Sequence, residues 1–313
     1  MGKRRTAVIA IKASLFTGLV LVTLAASCHP DGPEQVAEAF AWSGELAAPA
    51  TLNIRNTNGA ITVEPSADNA VRVTAEVRWR KGDWKRDVTF QAVPVGSDVT
   101  VCAMWDRGTC SAAGYASGKK RRGMRFSWNR SDASIAFKVQ VPAGVKVDGR
   151  TYNGPITVRA AAPVKAHTLN GDVIVGTSVG PVDAETLNGD VDIRMTTLGV
   201  EMGPVRAVTK NGTATAYVPE ILDGRIKAST LTGELGTDFG GPAAGTRGPG
   251  REFVTTFGLG DREYLVQTLN GSAWLRLINA DGTVGRGVTA ATATAEPAAE
   301  RRARPSGGSR NPR

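Results

Sequence analysis

The sequence has little of what catalytic and metal centres are usually built from. Only two histidines and three cysteines occur in 313 residues. His29 and His167 have no partner at a metal-ligand or nucleophile spacing, and Cys28, Cys102 and Cys110 are too few and too irregularly placed for a zinc cluster. There is no Gly-Lys-Ser/Thr phosphate loop and no Gly-x-Ser-x-Gly elbow. Aromatics are scarce, at 6% of the chain. The longest apolar stretch near the start, residues 13–24, is too short and too one-sided for a membrane span. These gaps leave enzymatic, cofactor and metal readings without a motif, so no cofactor and no catalytic residue is expected.

What is plentiful is glycine, at 37 residues, together with Val, Thr and Ala through the middle of the chain. That balance points to many short strands joined by tight turns. The net charge of +9 is unevenly spread. Residues 1–28 carry +4, residues 106–130 carry +6 and the tail from Gly285 carries +4, which leaves the rest at −5. The body is therefore mildly acidic and the basicity sits on appendages, so nucleic acid is not the expected partner.

In chain order, residues 1–28 read as an export signal, with Lys3, Arg4 and Arg5 ahead of the apolar stretch. The run Leu24-Ala25-Ala26-Ser27-Cys28 resembles a bacterial lipobox, displaced by one place because Ala25 stands where Leu is usual; lipidation of Cys28 would anchor the chain to a membrane. The alternative is ordinary signal cleavage beside a free or paired cysteine. Residues 29–50, rich in Pro, Glu and Ala with at most a helical turn, read as a tether. Residues 51–284 form the predicted β-body, and 285–313 a disordered basic tail.

Within the body, residues 106–130 break the strand pattern as a basic loop. Lys119, Lys120, Arg121, Arg122 and Arg125, interleaved with Phe126 and Trp128, suit an anionic glycan or envelope polymer, a lipid headgroup or, less in keeping with the acidic body, single-stranded nucleic acid; a solvated hairpin tip is the plainer alternative. Cys102 and Cys110 flank its start and are expected to form a disulfide after export.

The dominant pattern is a repeated phrase: Thr151-Tyr152-Asn153-Gly154, Thr168-Leu169-Asn170-Gly171, Thr186-Leu187-Asn188-Gly189, Thr209-Lys210-Asn211-Gly212, Thr230-Leu231-Thr232-Gly233 and Thr268-Leu269-Asn270-Gly271. Successive glycines are 17, 18, 23, 21 and 38 residues apart. Two and four places after each glycine the residues are mostly apolar, as in Val173 and Val175 or Val191 and Ile193, which is the period of a strand with one buried face. Asn56-Thr57-Asn58-Gly59 followed by Ile61 and Val63 is an early copy. Asn-Gly alone signals a hairpin, and an antiparallel β-sandwich is the alternative fold. Recurrence at near-constant spacing favours an all-β parallel β-solenoid, in which Thr and Asn of adjacent coils stack about 4.8 Å apart. Asp172 and Asp190 would then lie on neighbouring coils as solvated carboxylates, with a calcium site or a β-helix polysaccharide enzyme as minor alternatives.

These repeats, with the lead-in Val141-Pro142-Ala143-Gly144-Val145, resemble the bacterial envelope proteins known as the putative adhesin family, over roughly residues 50–280. The resemblance implies the β-repeat fold and a non-enzymatic adhesin or scaffold at the cell envelope. It departs at the basic loop, the Gly-rich insertion 240–250 and the Arg tail. A regulatory or stress-sensing module that binds an envelope protein is the other expectation.

Overall fold

The computed structural model describes residues 32–105, 108–111, 114–116, 131–177, 179–197, 203–220, 223–239 and 250–285. Four strands come first: β1 (Gln35–Glu45), β2 (Thr51–Arg55), β3 (Ile61–Pro65) and β4 (Ala70–Trp79). One helical turn, α1 (Trp84–Asp87), leads into β5 (Val88–Val95) and β6 (Asp98–Trp105). A small hairpin of β7 (Thr109–Ser111) and β8 (Gly114–Ala116) precedes β9 (Ser134–Val141). Then come β10 (Lys146–Arg150), β11 (Ile156–Ala160), β12 (Val164–His167) and β13 (Val173–Thr177). They are followed by β14 (Val182–Glu185), β15 (Val191–Met195), β16 (Val205–Val208) and β17 (Ala214–Val218). The last are β18 (Gly224–Thr230), β19 (Leu235–Thr237), β20 (Arg251–Phe257), β21 (Glu263–Gln267) and β22 (Ala273–Leu277).

Two ten-stranded sheets carry the body, in the orders β1-β4-β9-β3-β11-β13-β15-β17-β22-β19 and β20-β18-β21-β16-β14-β12-β10-β2-β6-β5. Consecutive turns of chain place one strand in each sheet, and like strands pair in parallel and in register: Val173 meets Val191, and Val182 meets Val205. The array is thus the solenoid-like stack expected of the repeat. Among the described residues, antiparallel pairing, the basis of the sandwich alternative, occurs in β1/β4/β9, β5/β6 and β18/β20 at the ends, in the small β7/β8 hairpin and in the isolated bridge of Ile278 with Val284.

The two sheets share one core. Ile156, Val158, Val173, Val175, Val191 and Ile193 point inward from the first sheet, and Val164, Ala166, Val182, Ala184, Val205 and Ala207 from the second; all are buried. Each inward Val or Ile contributes roughly 1.5–3 kcal/mol by burial.

The repeated phrase makes the bend between sheets, and every one of its residues bonds to the neighbouring coil. Asn170 Nδ2 donates to Asn153 Oδ1, Asn188 to Asn170 and Asn211 to Asn188, each at 2.8 Å, and Asn270 donates to Asn211 at 2.7 Å. The threonines stand in register too, and their hydroxyls bond along the ladder, though not to one another. Each donates instead to a glycine carbonyl of the adjoining coil, as Thr168 to Gly154 at 3.0 Å and Thr186 to Gly171 at 2.9 Å. The glycine is needed twice over. At Gly189 φ is +144°, and an added Cβ would overlap the Gly171 carbonyl.

Coil order departs from chain order at the C-terminal end. β22 inserts between β17 and β19, and β21 between β16 and β18, so the copy at Thr268 stacks on the copy at Thr209 rather than on its predecessor in sequence. The intervening strand β20 runs antiparallel along β18 and caps that end.

At the opposite end the structure corrects the tether reading. Residues 35–45 form β1, paired antiparallel with β4. Phe40 stacks on Phe90 at 5.5 Å, and Trp84 and Phe137 meet the edge of Phe90 at 6.4 and 6.3 Å. Most of the supposed tether is therefore part of the β-body.

Candidate functional site

Of the residues singled out from the sequence, Cys28, Lys119, Lys120, Arg121, Arg122, Arg125 and Trp128 lie outside the described residues. Cys102 and Cys110 are joined in a disulfide with their Cα atoms 5.9 Å apart. Cys102 projects from the outer face of β6, and the bond holds the β7/β8 hairpin over that face. Thr100, Cys102 and Met104 are consequently buried although they point away from the core.

Beside this cover lies an ion pair that the sequence gave no reason to expect. Arg55 on β2 grips Asp148 on β10 through two 3.0 Å hydrogen bonds, with a third from Arg55 Nη1 to the Asp148 carbonyl at 2.6 Å. Arg150 also donates to Asp148, at 3.0 Å. Burial works against both charges. It lowers the Arg55 pKa, while for Asp148 the attraction of Arg55 and Arg150 outweighs it and holds the carboxyl below its ordinary value.

Further along the same face, His167 Nε2 lies 3.2 Å from Asp183 Oδ2, and Arg206 Nη1 lies 2.9 Å from both Asp183 Oδ1 and Glu185 Oε2. His167 and Arg206 together pull the Asp183 pKa down to about 2. Among the described residues, His167, Asp183 and Glu185 have donor atoms close enough to share a metal ion. The Arg206 guanidinium, however, already bridges the two carboxylates and opposes a second cation there. The cluster is a partly buried ion-pair network centred on Arg206.

Asp172 and Asp190 are exposed, as expected of solvated carboxylates, and each also takes one backbone bond. Asp172 Oδ1 accepts the Asp190 amide at 2.9 Å, and Asp190 Oδ1 accepts the Thr213 amide at 2.7 Å. They extend the coil-to-coil ladder by one position, which speaks against a calcium role.

Two exposed surfaces remain. On the outer face of the first sheet, β15, β17 and β22 bring together Arg194, Tyr217, Trp274 and Arg276. The Arg194 guanidinium lies 4.9 Å from the Tyr217 ring centre, and that of Arg276 lies 4.2 Å from Trp274. Asp192 and Asp238 pair with the two arginines at 2.9 and 3.2 Å. Gly236 on β19 leaves the space in which the indole lies flat. The sequence pointed to Arg194 alone of this group, with Lys165 and Arg206, as a cation available to a β-helix polysaccharide enzyme; Tyr217, Trp274 and Arg276 hold outward positions of separate copies, visible only when the copies are aligned across one another.

The second surface is the line formed by the variable residue of each turn phrase. Tyr152, Leu169, Leu187, Lys210, Leu269 and Leu231 follow one another along the bends, linked by backbone bonds such as Asn170 N to Tyr152 O at 2.8 Å and Asn188 N to Leu169 O at 2.9 Å. Tyr152, Leu169, Leu231 and Leu269 are all exposed. Among the described residues no helix is long and apolar enough to cross a membrane.

No family model matches the sequence, and no curated protein matches it. Similar solved structures do exist. A putative cell adhesion protein from Clostridium sporogenes shares 13% identity over 78% of this chain and 99% of its own, with a TM-score of 0.39. A putative adhesin from Bacteroides fragilis shares 11% identity over 78% of this chain and 97% of its own, with a TM-score of 0.37. Another from Parabacteroides distasonis shares 10% identity over 79% and 98%, with a TM-score of 0.17. Most of this chain is therefore matched by structures bearing adhesin or cell-adhesion names.

Proposed function

We propose that the protein is a non-enzymatic, exported envelope protein, held to a membrane through lipid at Cys28, whose β-body presents a flat repetitive face for adhesion to or scaffolding on an anionic glycan or envelope polymer. The observation that carries the reading is the Arg194–Tyr217–Trp274–Arg276 group. It sets two half-buried rings, each beside an arginine that Asp192 or Asp238 pairs, on the outer face of one sheet, a combination that suits the faces of sugar rings. The Cys102–Cys110 disulfide supports residence outside the reducing cytoplasm. Trp274→Ala should weaken binding of an anionic polysaccharide by about tenfold while leaving thermal unfolding nearly unchanged. Unaltered affinity would remove this face from the proposal, and turnover of the polysaccharide would end the non-enzymatic reading. Neutralising residues 119–125 in the same assay tests whether the basic segment takes part.

A second reading, a regulatory module with an envelope protein as partner, is favoured by the line of exposed Leu side chains at the bends. An exposed apolar stripe of this length is unusual on a monomer and suits a protein surface better than a sugar. Pull-down of one partner by the native chain, lost with Leu169→Ser/Leu269→Ser, would favour it.

A further inference from the structure

We infer that the open edge of β20 is a dimer surface, on which β20 of a second copy pairs antiparallel about a two-fold axis at Val254. Among the described residues the two sheets end at four strands, β1, β19, β20 and β5. An end strand offers unpaired backbone groups to any further strand, and proteins ordinarily blunt it. Three of the four are blunted here. β1 has a register break between Glu38 and Phe40, β5 contains Pro94, which has no N–H to give, and β19 is three residues long.

β20 carries none of these devices. It pairs with β18 in unbroken register from Arg251 to Phe257 and contains no proline. Residues 253–260 include no charged side chain. Val254 is 42% exposed on the outer face, and Phe253 and Phe257 are only half-buried against the core. A regular, apolar edge of this kind is what strand addition uses.

The charges around the edge select a second copy, in one register. On the outer face Arg225, Lys227 and Ser229 of β18 stand beside Thr256, Val254 and Glu252 of β20. Lys227 binds Glu252 at 3.2 Å. Arg225 is exposed and in no ion pair among the described residues, although Glu263 neighbours it on β21. With two β20 strands antiparallel and centred on Val254, Glu252 of each copy faces Thr256 of the other. Glu252 and the Arg225 beyond that Thr256 then share one row, about 10 Å apart between backbones, a gap that the two long side chains span over the short threonine. The unmatched arginine of each copy so meets a carboxylate of the other, twice by symmetry. On the inner face Phe253 meets Thr255 and Arg251 meets Phe257, so no like charges face one another. A parallel pairing would instead set Glu252 against Glu252 and Arg251 against Arg251. One seven-residue edge is small beside the roughly 800 Å² per partner of a standard interface, so the dimer is a weak one.

Sedimentation of the purified full chain from about 5 to 500 μM should therefore pass from monomer to dimer. Val254→Lys sets two ammonium groups at the two-fold axis and should raise the dissociation constant at least about tenfold, with thermal unfolding unchanged because the side chain is exposed. Arg225→Glu should raise it about fivefold, and the Arg225→Glu/Glu252→Arg chain should recover most of that loss. In hydrogen exchange, alternate β20 amides should be fast in the dilute monomer and slow in the dimer. A chain that stays monomeric throughout overturns the proposal, as does a dimer indifferent to Val254→Lys but lost with Leu169→Ser/Leu269→Ser, which would put the contact on the bends. Slow exchange of every β20 amide in the monomer also overturns it, since the chain's own residues would then cover the edge.

Discussion

The repeat array and the N-terminal end are made of the same two sheets but hold together in different ways. In the array each interaction recurs: an Asn ladder, a Thr hydroxyl on a glycine carbonyl, an inward pair of small apolar residues. At the N-terminal end every stabilising element occurs once: an aromatic cluster around Phe90, the buried Arg55–Asp148 pair and a disulfide. Repetition spreads stability over equivalent small terms, so that no single turn is decisive. Unique interactions concentrate it at one end of the stack.

The largest expected effect strikes the one thing both regions share, the core. Val191→Asp places an unpaired carboxylate between Val173 and Ala214 in a dry layer, and should destabilise by more than about 4 kcal/mol or prevent folding. Chemical denaturation would check this, and a loss confined to one coil would contradict a continuous core. Next comes Asp148→Ala, which strands the Arg55 guanidinium and should cost about 3–4 kcal/mol, whereas joint replacement of Arg55 by Met and Asp148 by Leu should recover most of it. If the pair were equivalent to an array contact, the single change would cost far less.

A smaller effect is expected in the ladder. Asn188→Ala removes two exposed side-chain bonds and should cost about 1 kcal/mol, and Asn170→Ala should cost the same within about 0.5 kcal/mol. Clearly unequal costs would show that the coils are not interchangeable. The smallest effect is in acid. Asp183 has its pKa lowered to about 2 in the folded chain, so the stability it contributes is present above the ordinary carboxylate value near 3.9 and is lost as pH falls towards 2. Arg206→Gln should shrink that loss between pH 4 and pH 2, as read from melting temperatures.

The array was legible because identical phrases at even spacing have one economical arrangement, in which like stacks on like. β1 was not. Its Glu- and Ala-rich composition favours helix or coil, and a register shift between Glu38 and Phe40 breaks the two-residue alternation, so Ala37 and Ala39 are followed out of phase by Phe40 and Trp42. Arg55 and Asp148 were not picked out from the sequence, because they stand 93 residues apart and meet only where β2 pairs with β10. The Tyr217–Trp274 face was missed for a related reason: its members are 57 residues apart and meet only because β22 is placed against β17.

The sequence by itself determined the strand period, the turn chemistry and the parallel stacking, since these depend on alternation within a few residues and on what an identical neighbour can bond to. Tertiary structure alone decided coil order, the pairing of β1 and the burial of Arg55. Each depends on which distant segment covers or edges a strand, and an exposed sheet edge or face accepts any partner whose backbone and shape fit it.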